Sequence, residues 1–167
     1  MQTNMPSAIQ PELFIKMVIS NWEIQNTRLD KLLDDLSDEQ LSAETAPGRN
    51  TGTYLLGHLT AISDGMLVLM DLGNKLYPEL QNIFVDNADK SGFSFPSIAE
   101  LKAYWNNVNE ALRQHFDNMQ TATWFTRHMS VSEEDFAKEP HRNKLNILIN
   151  RTNHQSYHLG QMAYLKK

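Results

Sequence analysis

In the stretch NHQSYHLGQMAYLKK, His154 and His158 stand four residues apart. On a helix that spacing separates two side chains by about 40°, so both imidazoles share one face. Two histidines one turn apart can chelate a single divalent ion. Ile147, Asn150, Gln161 and Leu165 fall on the same face, which marks it as the inward stripe or its border. Two ligands hold a metal weakly, so a third is needed. His58 is the best candidate. It lies in YLLGHLTAISDGML, where Tyr54, Ile62, Met66 and Leu69 recur with it at steps of three or four and turn it inward on a second helix. His115 borders the stripe of a third helix, and His128 and His141 lie in or beside polar connectors.

A rival reading stands beside this one. An inward histidine is commonly a hydrogen-bonded core residue, and one i,i+4 pair is a weak signal alone. The third inward histidine strengthens the metal reading. Three neutral imidazoles would leave a dication's charge uncompensated and a coordination position open, the arrangement of catalytic rather than structural zinc. Gln161 and Asn150 could then orient a ligating imidazole or a reacting water, and Tyr54, one turn before His58, could line the pocket. Packing alone would also account for these three. Trp22, Trp105 and Trp124 read as core. Asp64 points about 120° from His58 and is not counted as a ligand.

Four amphipathic segments must position these groups. The first follows Pro11 in PELFIKMVISNWEIQNTRLDKLLDDL, with Leu13, Met17, Ile24, Leu29, Leu32 and Leu36 as its stripe. A capping box from Ser37 to Gln40 predicts a short helical turn before the Pro47-Gly48 break. The second helix, TGTYLLGHLTAISDGMLVLMDLG, is expected to end near Gly73. The third starts at a second capping box, Ser97 to Glu100, with Leu101, Trp105, Val108, Leu112 and Met119 inward. The fourth, KLNILINRTNHQSYHLGQMAYLKK, ends in two lysines that complement the helix dipole. Pairing of the first helix with the second and the third with the fourth is the simplest connection, but pattern alone does not give the order, and the long second connector could cross the bundle. Connectors 74–96 and 120–141 are expected to wall any pocket. The pattern predicts an all-α four-helix bundle, with one domain over 1–167.

Composition narrows the functions. A net charge of −5 argues against general nucleic-acid binding. Zero cysteines exclude disulfides, thiolate ligands and a cysteine nucleophile, so any thiol chemistry needs an external thiol. No Gly-rich phosphate loop or serine-nucleophile motif is present. MQTNMPSAIQPEL has neither a basic nor an apolar leader segment, and GMLVLM is too short to span a bilayer. These features predict a cytoplasmic protein without membrane association.

Two motifs carry a resemblance. DDLSDEQLSAETAPGRNTGTYLLGHL combines an acidic turn, a Pro-Gly break and a helix-two histidine, and NHQSYHLGQMAYL has two histidines four apart before Gly-Gln. The chain resembles the DinB/YfiT-like superfamily of four-helix bundles with long connectors, architecturally over nearly its whole length. The resemblance implies a three-histidine metal site at His58, His154 and His158, and a homodimer. Many such proteins carry a further histidine where Tyr157 stands here. The implied chemistries are hydrolysis by an activated water and transfer of a low-molecular-weight thiol to a small electrophilic substrate. Imidazole ligands suit a divalent ion, with zinc or nickel favoured over copper or iron. Two other readings stay open: a non-catalytic metal-binding stress-response protein, and a helical interaction module whose histidines are structural.

Overall fold

The computed structural model describes residues 10–166. The leader reading of residues 1–9 and the final Lys167 lie outside the described residues. Four long helices dominate: α1 (Pro11–Asp35), α3 (Gly52–Leu69), α5 (Ile98–Asn118) and α8 (Lys144–Met162). Four short ones punctuate the connectors: α2 (Asp38–Ser42), α4 (Leu80–Phe84), α6 (Thr121–Trp124) and α7 (Glu133–Lys138). A 3-10 turn (Ala163–Leu165) follows α8. There is no strand among the described residues, so the fold is all-α.

Local chemistry sets the helix ends. Both capping boxes form, at Ser37/Gln40 and at Ser97/Glu100. Thr51 caps α3 through the Tyr54 amide, and Asn143 caps α8 through the Asn146 amide. The end of α3 departs from expectation. The helix stops at Leu69, and Asp71, with φ 57°, makes the left-handed turn expected of Gly73. The Leu72 amide then reaches back to the Leu67 carbonyl at 2.8 Å, which closes the turn before the glycine is reached. Lys166 bonds the Asp35 carboxylate at 2.6 Å, tying the chain's end to α1.

The simplest helix pairing is not the one adopted. The first helix packs on the last, α1 on α8, and α3 packs on α5 and α8. Connectors long enough to hold their own helices release each pair from a hairpin constraint, so apolar faces choose partners freely. The stripe of α1 also differs. Leu13, Met17 and Ile24 are exposed, while Ile15, Trp22, Gln25 and Asn26 are buried beside Leu29, Leu32 and Leu36. Buried Gln155 of α8 donates to Asn26 at 3.0 Å, so a polar pair occupies this seam. In α5, Leu101, Trp105, Val108 and Leu112 are buried as expected, and Phe116 extends that stripe.

Two apolar clusters fill the interior. One gathers Leu29, Leu33, Leu55, Leu56, Leu59, Phe84 and Trp105. The other gathers Trp22, Met66, Met70, Leu112, Phe116, Trp124 and Leu148. All three tryptophans are core residues, each burying roughly 150–250 Å². At about 25 cal/mol/Å², this stabilises the fold by several kcal/mol per ring. No described helix is long and apolar enough to cross a membrane.

Candidate metal centre

His58 on α3 and His154 and His158 on α8 converge where these helices pack together. His154 Nε2 lies 3.3 Å from His58 Nε2 and 3.0 Å from His158 Nε2. The three ligand atoms all fall within 4.8 Å of one another, and all three side chains are partly buried. His115, His128 and His141 take no part in the cluster.

The outer ring nitrogens determine what the inner ones can do. His58 Nδ1 sits 2.7 Å from the Phe84 carbonyl oxygen. A backbone carbonyl only accepts, so this nitrogen carries the proton and Nε2 keeps a bare lone pair. His158 Nδ1 is 2.7 Å from Gln161 Oε1, and with that oxygen accepting, His158 takes the same tautomer. Two lone pairs thus face His154 Nε2, and one proton there cannot satisfy both well. A cation among the three nitrogens removes the conflict. Tetrahedral zinc, with Zn–N of about 2.0–2.1 Å, sets its nitrogens about 3.3 Å apart, and the two Nε2 separations here, 3.3 and 3.0 Å, fit that donor set. His154 Nδ1 is buried without a hydrogen-bond partner, so its imidazole is the one of the three lacking outer support.

Electrostatics keep the rings neutral, as ligation requires. Burial drives the His154 pKa down to about 4, with His158, His58 and Arg151 adding to the fall. Burial also lowers the pKa of His58 and of His158, against the opposing pull of the Phe84 carbonyl and the Gln161 amide respectively.

The remaining candidates separate clearly. Gln161 touches the site directly through His158. The buried Tyr54 donates to the Asn87 carbonyl at 2.7 Å and more weakly to the Phe84 carbonyl at 3.3 Å, and its ring stacks 6.2 Å from that of His58. It therefore anchors the connector that also holds His58. Asn150 is exposed and has no side-chain hydrogen bond to the three histidines. Tyr157 is exposed with its ring 5.1 Å from that of His158. Asp64 is buried away from the cluster, where its carboxylate accepts the Leu76 and Tyr77 amides at 2.8 and 2.9 Å.

Three contributors had escaped the sequence reading. The Phe84 carbonyl is a backbone group, so no residue type announces it. Gly57 has a signal only in retrospect: a Cβ there would lie 2.5 Å from Phe84 Cζ, so glycine lets α4 seat against α3. Arg151, three residues before His154, did carry one, as a charged side chain next to an inward stripe. Two cavities open on the helices and connectors that carry the histidines, which line neither. One of about 470 Å³ takes Lys75, Gln81 and Val85 from one expected connector and Met129 and Ser130 from the other. A second, of about 540 Å³, is walled by Thr45, Arg49, Tyr157, Gln161 and Tyr164, and so draws on the turn before α3, which was not expected to contribute.

The sequence profile described as the DinB superfamily matches residues 21–162, which include all three histidines, the whole of the first motif and the second motif as far as Met162. No curated protein matches the chain. With the three-histidine cluster inside a match that covers most of its length, the chain belongs to the DinB superfamily.

Proposed function

We propose that this protein is a metal-dependent enzyme in which His58, His154 and His158 hold one divalent ion that activates a low-molecular-weight thiol or a water against a small electrophilic substrate. The observation that carries the reading is the set of converging Nε2 atoms, two of them left bare by outer hydrogen bonds to Phe84 and Gln161. When bound, the ion supplies Lewis acidity and lowers the pKa of a thiol or water that reaches it. No carboxylate joins the described cluster, so the positive charge there stays unneutralised.

The protein's own residues do the positioning. The Phe84 carbonyl orients His58, and Tyr54 holds that carbonyl in place. Gln161 orients His158 and also lines a cavity, which lets its amide meet a substrate entering there. Asn150, on the exposed border of the same helix, has the weakest support as a participant. Zinc or nickel is the proposed ion, imidazole suiting both. The absence of cysteine fits an external thiol as nucleophile.

We further propose that residues 1–167 form one domain acting in the cytoplasm as a homodimer. The lack of cysteine accords with a reducing compartment. Exposed Leu13, Phe14 and Met17 on α1 offer an apolar surface for a second copy. The test of the enzymatic reading is turnover by zinc- and nickel-loaded protein across two panels: small thiols with chlorodinitrobenzene, and activated esters and amides. Turnover lost in His158→Ala supports it. No turnover in either panel, with metal bound, replaces it with non-catalytic metal binding.

A further inference from the structure

Arg151 is unusual among the cations of this protein. Its Nε is buried without a hydrogen-bond partner, and the side chain forms no ion pair among the described residues. A buried guanidinium N–H with no acceptor is costly, because it loses hydration and gains no hydrogen bond in return. The cavity of about 470 Å³ supplies the space for a partner, since Arg151 forms part of its wall. Lys75 enters the same cavity from the connector after α3, and its Nζ is held by Gln81 Oε1 at 2.8 Å. Neither Asp nor Glu lines the cavity. The exposed Asp86 is engaged by the other end of the Gln81 amide, at 2.9 Å.

No histidine lines the cavity, but it lies along the same two helices. Its wall includes Ile62, four residues after His58 on α3, and Arg151, three residues before His154 on α8. Each step is close to one helical turn, about 5 Å along the axis. Val85, next to the carbonyl that orients His58, and Ser130 complete the polar and apolar sides of the wall.

We propose that Arg151 and Lys75 form an oxyanion subsite, so that the substrate carries a carboxylate or phosphate group about one helical turn from its reacting atom. The chemistry favours this class. A guanidinium offers a planar fork to two oxygens, and an ammonium adds a point charge. Neither Asp nor Glu offsets these two cations in the wall, so a neutral or cationic substrate would leave their charge uncompensated, whereas an anionic group compensates it. The placement relative to the reacting atom rests on the metal-centre reading, but the subsite itself does not.

The experiment therefore uses metal-free as well as zinc-loaded protein. Inorganic phosphate and propionate are titrated separately, with chloride at matched ionic strength as control, and followed by calorimetry and by the Arg151 Nε–H resonance. Saturable binding of at least one oxyanion, with that resonance shifting in step, is expected in both forms. Arg151→Gln should weaken it roughly ten-fold or more, as loss of a charge-assisted hydrogen bond implies. Lys75→Gln, on a partly exposed connector where misfolding is not a concern, should weaken it less, and Arg151→Lys should recover part of the loss. Unchanged affinity in both Gln variants, or an Arg151 resonance that neither anion moves, overturns the proposal. Elemental analysis is run on the same samples. Arg151-dependent anion binding in a protein that takes up no metal removes the enzymatic reading and leaves the subsite standing.

Discussion

Gly57→Ala tests whether the second layer of the site is built by close packing. A Cβ at this position would lie 2.5 Å from Cζ and 2.6 Å from Cδ1 of the Phe84 ring. Carbon atoms in contact prefer about 3.5–4.0 Å, so the ring must retreat by on the order of 1 Å. It has little room, being fully buried with the rings of Tyr54 and Phe95 at 5.8 and 4.8 Å. Overpacking of this kind costs about 1–3 kcal/mol, offset by up to about 1 kcal/mol for alanine over glycine in a helix. A net loss of about 1–2 kcal/mol lowers Tm by roughly 2–8 °C at this chain length. Displacing Phe84 also moves the carbonyl that bonds His58 Nδ1 at 2.7 Å. Loss of such an outer partner lowers metal affinity by roughly 10–100-fold. Gly65→Ala is the control, because a Cβ there meets nothing within 4 Å on the same helix; it should raise Tm modestly. The assays are thermal unfolding of metal-free protein and competitive zinc titration. If Gly57→Ala gains stability as Gly65→Ala does and keeps wild-type zinc affinity, the packing argument is refuted.

Three further outcomes follow from the same geometry. Gln161→Leu removes the acceptor 2.7 Å from His158 Nδ1, and competitive zinc titration should show roughly 10–100-fold weaker binding with unchanged helicity. For pH, the folded pKa of His154, about 4, lies below its unfolded value near 6.5, and those of His58 and His158 are also lowered. The unfolded chain therefore binds more protons in that window. The stability of the metal-free protein should be full above about pH 6.5 and fall as pH drops towards 4, read as Tm against pH, and His154→Gln should flatten the decline. Met17→Glu, on the exposed apolar face of α1, should convert a sedimenting dimer to monomer without loss of helicity, whereas a wild-type monomer at micromolar concentration removes the dimer proposal.

Much of this organisation is legible in the chain, and the failures have physical causes. The third long helix was readable because α5 carries one apolar stripe and starts at a capping box. The inward face of α1's first turns was not, because Leu13, Phe14, Ile15, Met17, Val18 and Ile19 put apolar side chains all round the helix. Periodicity then selects no face, and packing against α5, α6 and α8 takes Ile15 and Trp22 inward. Helix pairing was hidden for a related reason: the connectors were long enough to permit any order. The short α4 and α7 have too few residues for a period to register. In the site, the histidines showed themselves by spacing and stripe. Their outer partners divide by kind. Gln161 was visible as a side chain on the same face, whereas the Phe84 carbonyl is supplied by the path of a connector.

The central claim is that the three imidazoles hold an ion, and the most direct measurement is elemental analysis of protein purified without an affinity tag, saturated with zinc and then dialysed, beside His158→Ala treated identically. The account predicts one tightly held ion per chain in the wild type, and loss of most of it in a variant whose circular dichroism is unchanged, because the apolar clusters of the bundle do not depend on that imidazole. A wild-type protein that retains no metal, or a His158→Ala protein that retains a full complement, contradicts it.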